Sequence, residues 1–352
     1  MNVVKRIKIL CEEVYAETVW CKQLLDNLII ELKKRRILFD IVYQKENISL
    51  GETVYVVGVS EEWLNAVIEN CNELEIVPII FLPRKMKNIQ GEYHEIYPDI
   101  QNAVEQLRNK IILSGRSSVA LYGINESVVL EKSRMECFLG LISHTDDIYK
   151  NIAGLEQCFQ SFLPSAGKYD AIICVNGYAA VSLVKKLYKE KPDILENVVV
   201  ITLEEVLKKS KYNQWILNVE FNLDKYGKTA LQLSDIFALG NKGVSTSVRL
   251  KCNVCEIPPK HECAAKTEKM VVELLDDPEM ILMKKIEQLL LDADDLDHHI
   301  IAMLLDGAKY SDIADSCYMT EGNIKYRIKK YMSVSGCTTK KELIALLQEF
   351  LR

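Results

Sequence analysis

The stretch SDIADSCYMTEGNIKYRIKKYM, residues 311–332, decides the fold of the C-terminal part of the chain. Its pattern predicts a short helix, a turn and a second helix, because Ile324, Ile328 and Tyr331 recur at the i, i+4 and i+7 spacing of one helical face. Thr320 stands where an N-cap residue would begin the second helix. The apolar stripe therefore predicts a small all-α domain whose core lies on that side of the helix.

The opposite face of the second helix is polar and rich in cations. Its residues are Thr320, Gly322, Asn323, Lys325, Tyr326, Arg327, Lys329 and Lys330. Cations suit phosphates, Asn and Tyr suit base edges, and a glycine near the helix start removes the side chain that keeps backbone away from a ligand. A lysine-rich face is usually just solvated, but here the charge is segregated. Residues 320–341 carry six Lys or Arg against one Glu, whereas residues 273–306 carry ten Asp or Glu against two Lys. The pattern favours double-stranded DNA as a partner.

Residues 296–341 resemble the LuxR-type (GerE-like) four-helix DNA-binding domain. The matching residues are Gly307, Asp312-Ile313-Ala314 and Thr320-Glu321-Gly322-Asn323-Ile324-Lys325. The chain has Gly322 where Lys or Gly is usual. It departs from the family pattern in having Asn323 where Thr is usual and Asp312 where Glu is usual. The resemblance implies a helix-turn-helix fold, and the departures make its base preference unpredictable.

The composition of the whole chain limits where such a contact can lie. The chain has 352 residues, of which 49% are hydrophobic and 27% charged, and its net charge is −6. The length allows two or three domains, and the negative net charge requires any DNA contact to be local. There is no run of 18 apolar residues, and the start MNVVKRIKIL is typical of a strand and lacks the apolar region of a signal peptide. These features predict a cytoplasmic protein without a membrane segment.

Eleven cysteines are scattered along the chain, as in reduced cytosolic proteins. Cys252-Asn-Val-Cys255, followed by His261 and Cys263, has a spacing that zinc sites use. However, apolar residues alternate along one expected strand over residues 248–254, which would point Cys252 inward and Cys255 outward. Two cysteines on opposite faces of a strand cannot bind one metal ion, so we expect no metal site, and no motif predicts a cofactor.

Residues 1–257 alternate short β-branched runs with longer helical stretches. The predicted strands are Arg6–Cys11, Ile37–Tyr43, Thr53–Val59, Ile76–Leu82, Val119–Ile124, Asp170–Val175, Val198–Thr202 and Trp215–Phe221. The predicted helices are Val19–Lys34, Glu62–Cys71, Asp99–Lys110, Val128–His144, Leu155–Phe162, Tyr178–Lys189 and Asp224–Leu239. This alternation is typical of α/β folds with parallel sheets covered by helices. These strand–helix units are more than one open sheet would hold. We therefore expect two lobes, with the change of lobe near residues 113–118.

Ligands of such sheets bind beyond the carboxyl ends of the strands. The polar residues expected there are Glu12, Glu13, Tyr15, Ser60, Glu61, Glu62, Tyr122, Asn125 and Asn176, of which all but Glu12 and Glu62 are selected as candidate ligand contacts. For each one alone, a helix cap or a solvated loop group is the more ordinary role, but their collection at one end of both lobes favours a ligand cleft. The sequence has no glycine-rich phosphate loop and no GxSxG, HExxH or paired-carboxylate motif, so we predict no catalytic residues.

The same region resembles the effector-binding part of the lac-repressor and galactose-repressor family, which has a type-1 periplasmic-binding fold. The matching stretches are Val119–Gly123, Glu131–Phe138, Asp170–Gly177 with Ala179, Val199–Thr202 and Asn222–Gly227 with Ala230. The resemblance implies a small effector surrounded by Arg134, Tyr149, Asn176 and Phe221. Where the family has carboxylates that bind sugar hydroxyls, this chain has Gly177 and Leu203-Glu204-Glu205, which argues against a sugar. The family also carries its DNA-binding helices before the sensor, whereas here the candidate reader follows it.

Between the two parts, Pro258-Pro259 ends the last predicted strand. Residues 258–293 then predict a helical connector with helices at Lys266–Leu275 and Pro278–Leu291. The apolar stripe of the second of these fits packing within the DNA-binding domain and fits a dimer helix equally well. Because helix-turn-helix proteins usually pair on two half-sites, a homodimer is expected.

Together these patterns predict a transcription regulator with a two-lobed sensor at residues 1–257, a connector at 258–293 and a LuxR-type helix-turn-helix domain at 294–352. A small polar effector bound between the lobes would change the placement of the DNA-binding domain. Two alternatives stay open. One is a solute-binding or adaptor protein that does not bind DNA, and the other is an α/β enzyme that uses the cleft.

Overall fold

The computed structural model describes residues 6–351 except 17, 45–46, 143, 204–205, 208–209, 238–242 and 261–277. Its strands are β1 (Arg6–Cys11), β2 (Leu38–Val42), β3 (Thr53–Val57), β4 (Ile79–Phe81), β5 (His94–Pro98), β6 (Val119–Ile124), β7 (Ile148–Lys150), β8 (Ala171–Cys174), β9 (Val199–Thr202), β10 (Ile216–Glu220), β11 (Thr246–Leu250) and β12 (Asn253–Val254). Its helices are α1 (Glu13–Ala16), α2 (Val19–Lys34), α3 (Glu61–Glu73), α4 (Ile100–Leu113), α5 (Val129–Phe138), α6 (Leu155–Phe162), α7 (Gly177–Glu190), α8 (Pro192–Leu195), α9 (Asp224–Phe237), α10 (Pro278–Leu291), α11 (Asp295–Leu305), α12 (Tyr310–Ser316), α13 (Glu321–Ser335) and α14 (Lys340–Leu351). None of these described helices is both long enough and apolar enough to cross a membrane.

The chain divides into two compact units. Unit 1 comprises Met1–Asn109 and Val219–Val254, and unit 2 comprises Lys110–Asn218 and Cys255–Arg352. The chain therefore leaves unit 1 once, returns to it after residue 218, and leaves it again after residue 254. The sequence patterns predicted only the first of these crossings.

Unit 1 is built on a parallel sheet of six strands in the order β11-β5-β4-β3-β1-β2. Next to the edge strand β2, Ile9 of β1 pairs with Ile41 of β2 on one side and with Tyr55 of β3 on the other. The apolar runs of β3 and β4 are almost wholly buried, as expected for a parallel sheet covered by helices. The hydroxyl of Tyr55 lies 2.9 Å from that of Ser234, which fixes α9 to the sheet.

The second sheet has the order β12-β10-β9-β8-β6-β7 and is parallel apart from the antiparallel pair of β12 with the end of β10. Strands β6 to β9 and the start of β10 belong to unit 2, and the pair of β12 with the end of β10 falls within the residues of unit 1. Every residue of β6, β8 and β9 is buried. The pairing of β6 with β7 shifts register between Tyr122 and Ile124. Gly123 lies at this shift with φ +77°, and a Cβ there would come within 2.5 Å of the Cβ of Ala179. Glycine at this position lets β6 approach α7 closely.

The last five helices, α10 to α14, belong to unit 2 and reach its sheet through α7. Glu279 of α10 accepts hydrogen bonds from Ser182 (3.1 Å) and Lys186 (2.5 Å) of α7. α11 begins with a capping box, in which the carboxylate of Asp294 accepts from the amide of Asp297 at 2.7 Å and the carboxylate of Asp297 accepts from the amide of Asp294 at 3.2 Å. α10 packs in turn against α13.

Most of the predicted elements are confirmed, and β1, β6, α2, α6 and α10 have the predicted bounds. β5 and β7 were not predicted, because HEIYP is too polar and IYK too short to give a strand pattern. The single strand expected over residues 248–254 is wrong, since β11 ends at Leu250 and β12 begins at Asn253 in the other sheet. The helix expected to reach His144 ends at Phe138. The helix predicted at 266–275 lies outside the described residues.

Candidate functional site

At the carboxyl edge of the unit 1 sheet, Glu12 follows β1 and directs its carboxylate to the start of α3. The carboxylate accepts hydrogen bonds from the amides of Val59 (2.8 Å) and Ser60 (3.2 Å) and from the hydroxyl of Ser60. Glu12 is only 9% exposed, and a Cβ at Gly58 would lie 3.1 Å from its carboxylate oxygen. Because this internal anion occupies the start of α3, an anionic ligand is disfavoured there and a hydrogen-bond donor is favoured.

Five residues predicted to contact a ligand belong to unit 1. Glu13 and Ser60 are exposed and Glu61 is half-buried, so these three can reach a ligand without rearrangement. Tyr15 and Phe221 are 4% and 5% exposed and contribute mainly packing surface. The sequence analysis placed Glu12 at this strand end but selected only Ser60 as a ligand contact, and not the carboxylate that holds it.

A buried carboxylate organises the carboxyl edge of the unit 2 sheet. Glu131 of α5 is fully buried and accepts hydrogen bonds from the amide of Asn125, after β6, and from the side chain of Asn176, after β8, both at 2.8 Å. The amide oxygen of Asn176 caps the first turn of α7. Arg134, which is 2% exposed, donates to the carbonyl of Val175 at 2.9 Å. The edge therefore brings three predicted residues, Asn125, Arg134 and Asn176, into one neighbourhood, with Glu131 as an unpredicted member.

Tyr149 of β7 is half-buried and ends a chain of hydrogen bonds. Its hydroxyl lies 2.7 Å from that of Tyr169, which donates to Asp147 at 2.8 Å, and Lys168 donates to the same carboxylate at 2.6 Å. Burial alone would raise the pKa of Asp147, but the hydrogen bonds from Lys168 and Tyr169 outweigh it and lower that pKa. The single hydroxyl proton of Tyr169 is committed to Asp147, so Tyr149 must donate to Tyr169. Because Asp147 and Tyr169 precede β7 and β8, these hydrogen bonds tie the hydroxyl of Tyr149 to the amino ends of the strands, and the structure does not bring it together with Asn125 and Asn176 at the carboxyl edge.

Tyr122 was predicted to follow its strand, and this placement is wrong. It lies inside β6, is fully buried, and its hydroxyl donates to the carbonyl of Leu155 at 3.4 Å. Burial raises the pKa of its hydroxyl well above the ordinary value. Because Tyr122 lies within the bounds of β6, which are the predicted ones, it belongs to the core of unit 2.

Two buried amides of unit 2 escaped the sequence analysis. Asn151, directly after β7, and Asn218, in β10, are 2% and 3% exposed. The side-chain nitrogen of Asn151 and the side-chain oxygen of Asn218 have no hydrogen-bond partner among the described residues. A buried polar atom without a partner costs about 1–3 kcal/mol, so both are candidates for contact with a bound molecule. A prediction of β7 would have placed Asn151 at a strand end, but β7 was not predicted and Asn151 was therefore missed.

The α13 face that was predicted to meet DNA is exposed. Thr320 caps the helix by accepting a hydrogen bond from the amide of Asn323 at 3.3 Å, as predicted. Ile324, Ile328 and Tyr331 are buried, as the predicted stripe required. The exposed members of the predicted set are Thr320, Gly322, Asn323, Lys325, Tyr326, Lys329 and Lys330.

Arg327 differs from the rest of the predicted set. Its guanidinium donates to Asp294 at 3.1 Å and to Asp297 at 2.5 Å, and the hydroxyl of Tyr331 donates to the same oxygen of Asp297. The hydrogen bonds to Asp297 and Asp294 raise the pKa of Arg327, and the amide of Asp297 together with Arg327 lowers the pKa of Asp294. The charge of Arg327 is thus matched inside the domain, and its side chain fixes α13 to α11 and is poorly placed for phosphate.

Tyr318 is an exposed residue that the sequence analysis did not select. It lies in the turn between α12 and α13, is 98% exposed, and has a left-handed φ of +53°. Gly322, by contrast, has space around it, since a Cβ there would meet only the hydroxyl of Thr320, at 3.7 Å. Packing within the domain therefore does not explain either residue.

The two cysteines of the expected strand differ in burial, although no single strand covers residues 248–254. Cys252 is 5% exposed and Cys255 is half-buried. Within the described part of the chain, no group of three or more His, Cys, Asp or Glu residues is arranged to hold a metal ion. His261 and Cys263 lie outside the described residues.

The two parallel-dominated sheets with their helices define an α/β protein with the two-lobed sensor fold of the LacI type, as predicted. No protein-family model matches the sequence, and no curated protein matches it. Among solved structures, the chain is similar to the Escherichia coli transcriptional repressor AscG, with TM-score 0.55 and 11% identity over 74% of this chain and 100% of that one. It is also similar to the lac repressor dimer bound to operator and the anti-inducer ONPF, with TM-score 0.55 and 11% identity over 74% and 82%. A third is a LacI family transcriptional regulator from Enterococcus faecium with bound ribose, with TM-score 0.53 and 14% identity over 72% and 99%. At these identities the likeness establishes the fold.

Proposed function

We propose that this protein is a ligand-responsive, DNA-binding transcription regulator. The observation that carries the proposal is the α13 face, on which every predicted contact residue except Arg327 is exposed while the apolar stripe is buried. Lys325, Lys329 and Lys330 would contact phosphates, and Asn323 and Tyr326 would contact base edges. The four helices α11 to α14 agree with the LuxR-type domain that the sequence resembles, and we propose that class of helix-turn-helix for them.

We propose a small polar molecule as the effector. At the carboxyl edge of the unit 1 sheet, the carboxylate of Glu12 disfavours an anion. This suits a neutral molecule that carries hydroxyl or amine groups. The Enterococcus faecium regulator has ribose bound. A sugar fits the hydrogen-bonding groups, although the carboxylates of the resembled family are absent here.

Helix α7 is the route by which an effector would act on the DNA-binding helices. Its first turn is capped by Asn176, which is bonded to Glu131 at the carboxyl edge of the sheet. Its middle holds Glu279 of α10 through Lys185 and Lys186, and α10 packs against α13. An effector that displaces Asn176 would shift α10 through α7. The shift requires that the effector bind the two arrangements with different affinity.

Binding to random-sequence duplex DNA tests the proposal without knowledge of the operator. For the full chain, the dependence of log affinity on log salt should become shallower by about 1.8 in the variant Lys325→Ala/Lys329→Ala, because two phosphate contacts are lost at about 0.9 each. The variant Lys189→Ala/Lys191→Ala removes the same charge from an exposed site at the end of α7 and should keep the wild-type slope. An equal slope in both variants would rule out the α13 face as the DNA contact.

The fold by itself also supports a solute-binding protein without a DNA partner, although the three similar solved structures described above are transcription regulators. The two are separated by a thermal-shift screen of small polar metabolites combined with the DNA titration. A regulator shows both stabilisation by a metabolite and a salt-dependent DNA complex, whereas a solute-binding protein shows only the first. The regulator proposal involves no catalysis. It places the protein in the cytoplasm with its DNA, as a homodimer on two half-sites.

A further inference from the structure

One aromatic ring collects two lysines from different helices. The ring of Tyr310, the first residue of α12, has the ammonium nitrogen of Lys325 of α13 at 5.7 Å from its centre and that of Lys340 of α14 at 4.3 Å. Each cation is attracted to the ring face, but the two ammonium groups repel one another. Lys341, next along the chain, is exposed. We call these four residues, Tyr310, Lys325, Lys340 and Lys341, the flanking cluster.

The acidic groups near the flanking cluster are engaged elsewhere or neutralise only part of its charge. Glu321 pairs with Lys325 at 2.8 Å, one turn away on the exposed surface of α13. Glu342 accepts hydrogen bonds from the amide and hydroxyl of Thr338, both at 2.8 Å, and these lower the pKa of its carboxyl group. Asp312 accepts from the amide of Lys309 at 3.2 Å. Because these donors are neutral, Glu342 and Asp312 keep their negative charge. Residues 320–342 nevertheless carry six Lys or Arg against two Glu, so the segment from α13 to the start of α14 stays net positive.

We propose that the backbone of duplex DNA extends from α13 onto the start of α14, where Lys340 and Lys341 contact phosphates, with Tyr310 holding the ammonium groups of Lys325 and Lys340 close to its ring. The inference rests on the proposed function. Charge complementarity favours this occupant, because the lysines of this segment repel one another and a phosphodiester that contacts them relieves that repulsion. The sequence analysis placed all DNA contacts on residues 320–330, so this enlarges the contact surface to a second helix.

The test is the salt dependence of duplex binding by the full-length variant Lys340→Ala/Lys341→Ala. Two lost phosphate contacts should make the slope shallower by about 1.8, with a loss of affinity that is uniform across sequences. Lys189→Ala/Lys191→Ala again serves as the matched charge control, and circular dichroism with the melting temperature establishes that the variants are folded. A second variant, Tyr310→Leu, keeps an apolar side chain, leaves every charge in place, and should weaken duplex binding while retaining most of the slope.

The outcomes separate the inference from the function on which it rests. If Lys325→Ala/Lys329→Ala lowers the slope and Lys340→Ala/Lys341→Ala does not, the flanking cluster is not a DNA contact, although α13 is. If the wild-type chain shows no salt-dependent duplex binding, the proposed function fails and the inference fails with it. If Lys340→Ala/Lys341→Ala costs as much affinity for a single strand of equal length, the cluster is a general polyanion surface and the duplex assignment is overturned.

Discussion

The ion pair between Lys186 of α7 and Glu279 of α10 should contribute measurably to holding α10 against α7 within unit 2. The two charged atoms are 2.5 Å apart, and the side chains are 10% and 20% exposed. Breaking a fully buried pair costs about 3–5 kcal/mol, because one charge is left without a partner. Here Lys185 lies 3.5 Å from Glu279 and supplies a second cation, and Glu279 is partly solvated. We therefore expect a coupling energy of about 2 kcal/mol between Lys186→Met and Glu279→Gln.

Hydrogen exchange of the α10 amides is the suitable assay, since it reports local opening of this helix. The variant Glu279→Gln should speed that exchange about 30-fold, the equivalent of about 2 kcal/mol. The double variant should open much less than the sum of the single effects. The control is the surface ion pair of Lys228 with Asp224 in unit 1. Its charged atoms are 2.9 Å apart, and its side chains are 51% and 54% exposed. Exposed pairs of this spacing contribute about 0.3–0.5 kcal/mol. A coupling at Lys186 and Glu279 no larger than that of the control pair would refute the reasoning.

Three further predictions concern α13 and its surroundings. Gly322→Ala should stabilise the helix by about 1 kcal/mol, because Ala favours helix and the added Cβ meets open space. The same variant should weaken duplex binding, measured by anisotropy. Improved stability with unchanged binding would show that DNA does not approach this position. Tyr318→Gly should raise the melting temperature, because the left-handed φ of +53° costs a non-glycine residue about 1 kcal/mol; an unchanged melting temperature would show that the turn relaxes. The pKa of Asp294 is lowered from its ordinary 3.8, so its contribution to stability is complete above that value and is lost as the pH falls through the lowered pKa. Exchange of α11 amides should accordingly rise in acid, and Arg327→Ala should reduce this pH dependence; a dependence that the variant leaves unchanged would contradict the assigned pair.

The sequence predicts the elements whose pattern is local and leaves out the partners that long-range packing supplies. Continuous apolar runs predicted β1 and β6 with their bounds, and the helical stripe predicted which face of α13 is buried. By contrast, the partners of Arg327 lie 30 and 33 residues away in α11, so no spacing on α13 indicated that its charge is matched. Glu12 was placed at a strand end but not selected as a site residue, and Glu131 was not selected either, because the backbone amides that bind each carboxylate are brought to it only by the folded sheet. Strand-end position therefore located the neighbourhoods, and burial decided which side chains face outward.

In the proposed regulator, helix α7 would let the C-terminal helices respond to an effector, although they follow the two-lobed region instead of preceding it as in the resembled repressors. An ordinary covering helix has one face on the sheet and one in water, but α7 buries ten of its fourteen residues, including Ser182 and Lys186. The second buried face meets α10 through charged groups, which are sensitive to geometry because the attraction must offset the cost of removing the charges from water. A rotation or shift of α7 by an effector at Asn176 would misalign Glu279 with its lysines. Because the contact is polar, such a displacement would change its free energy more than it would change that of an apolar contact of the same area.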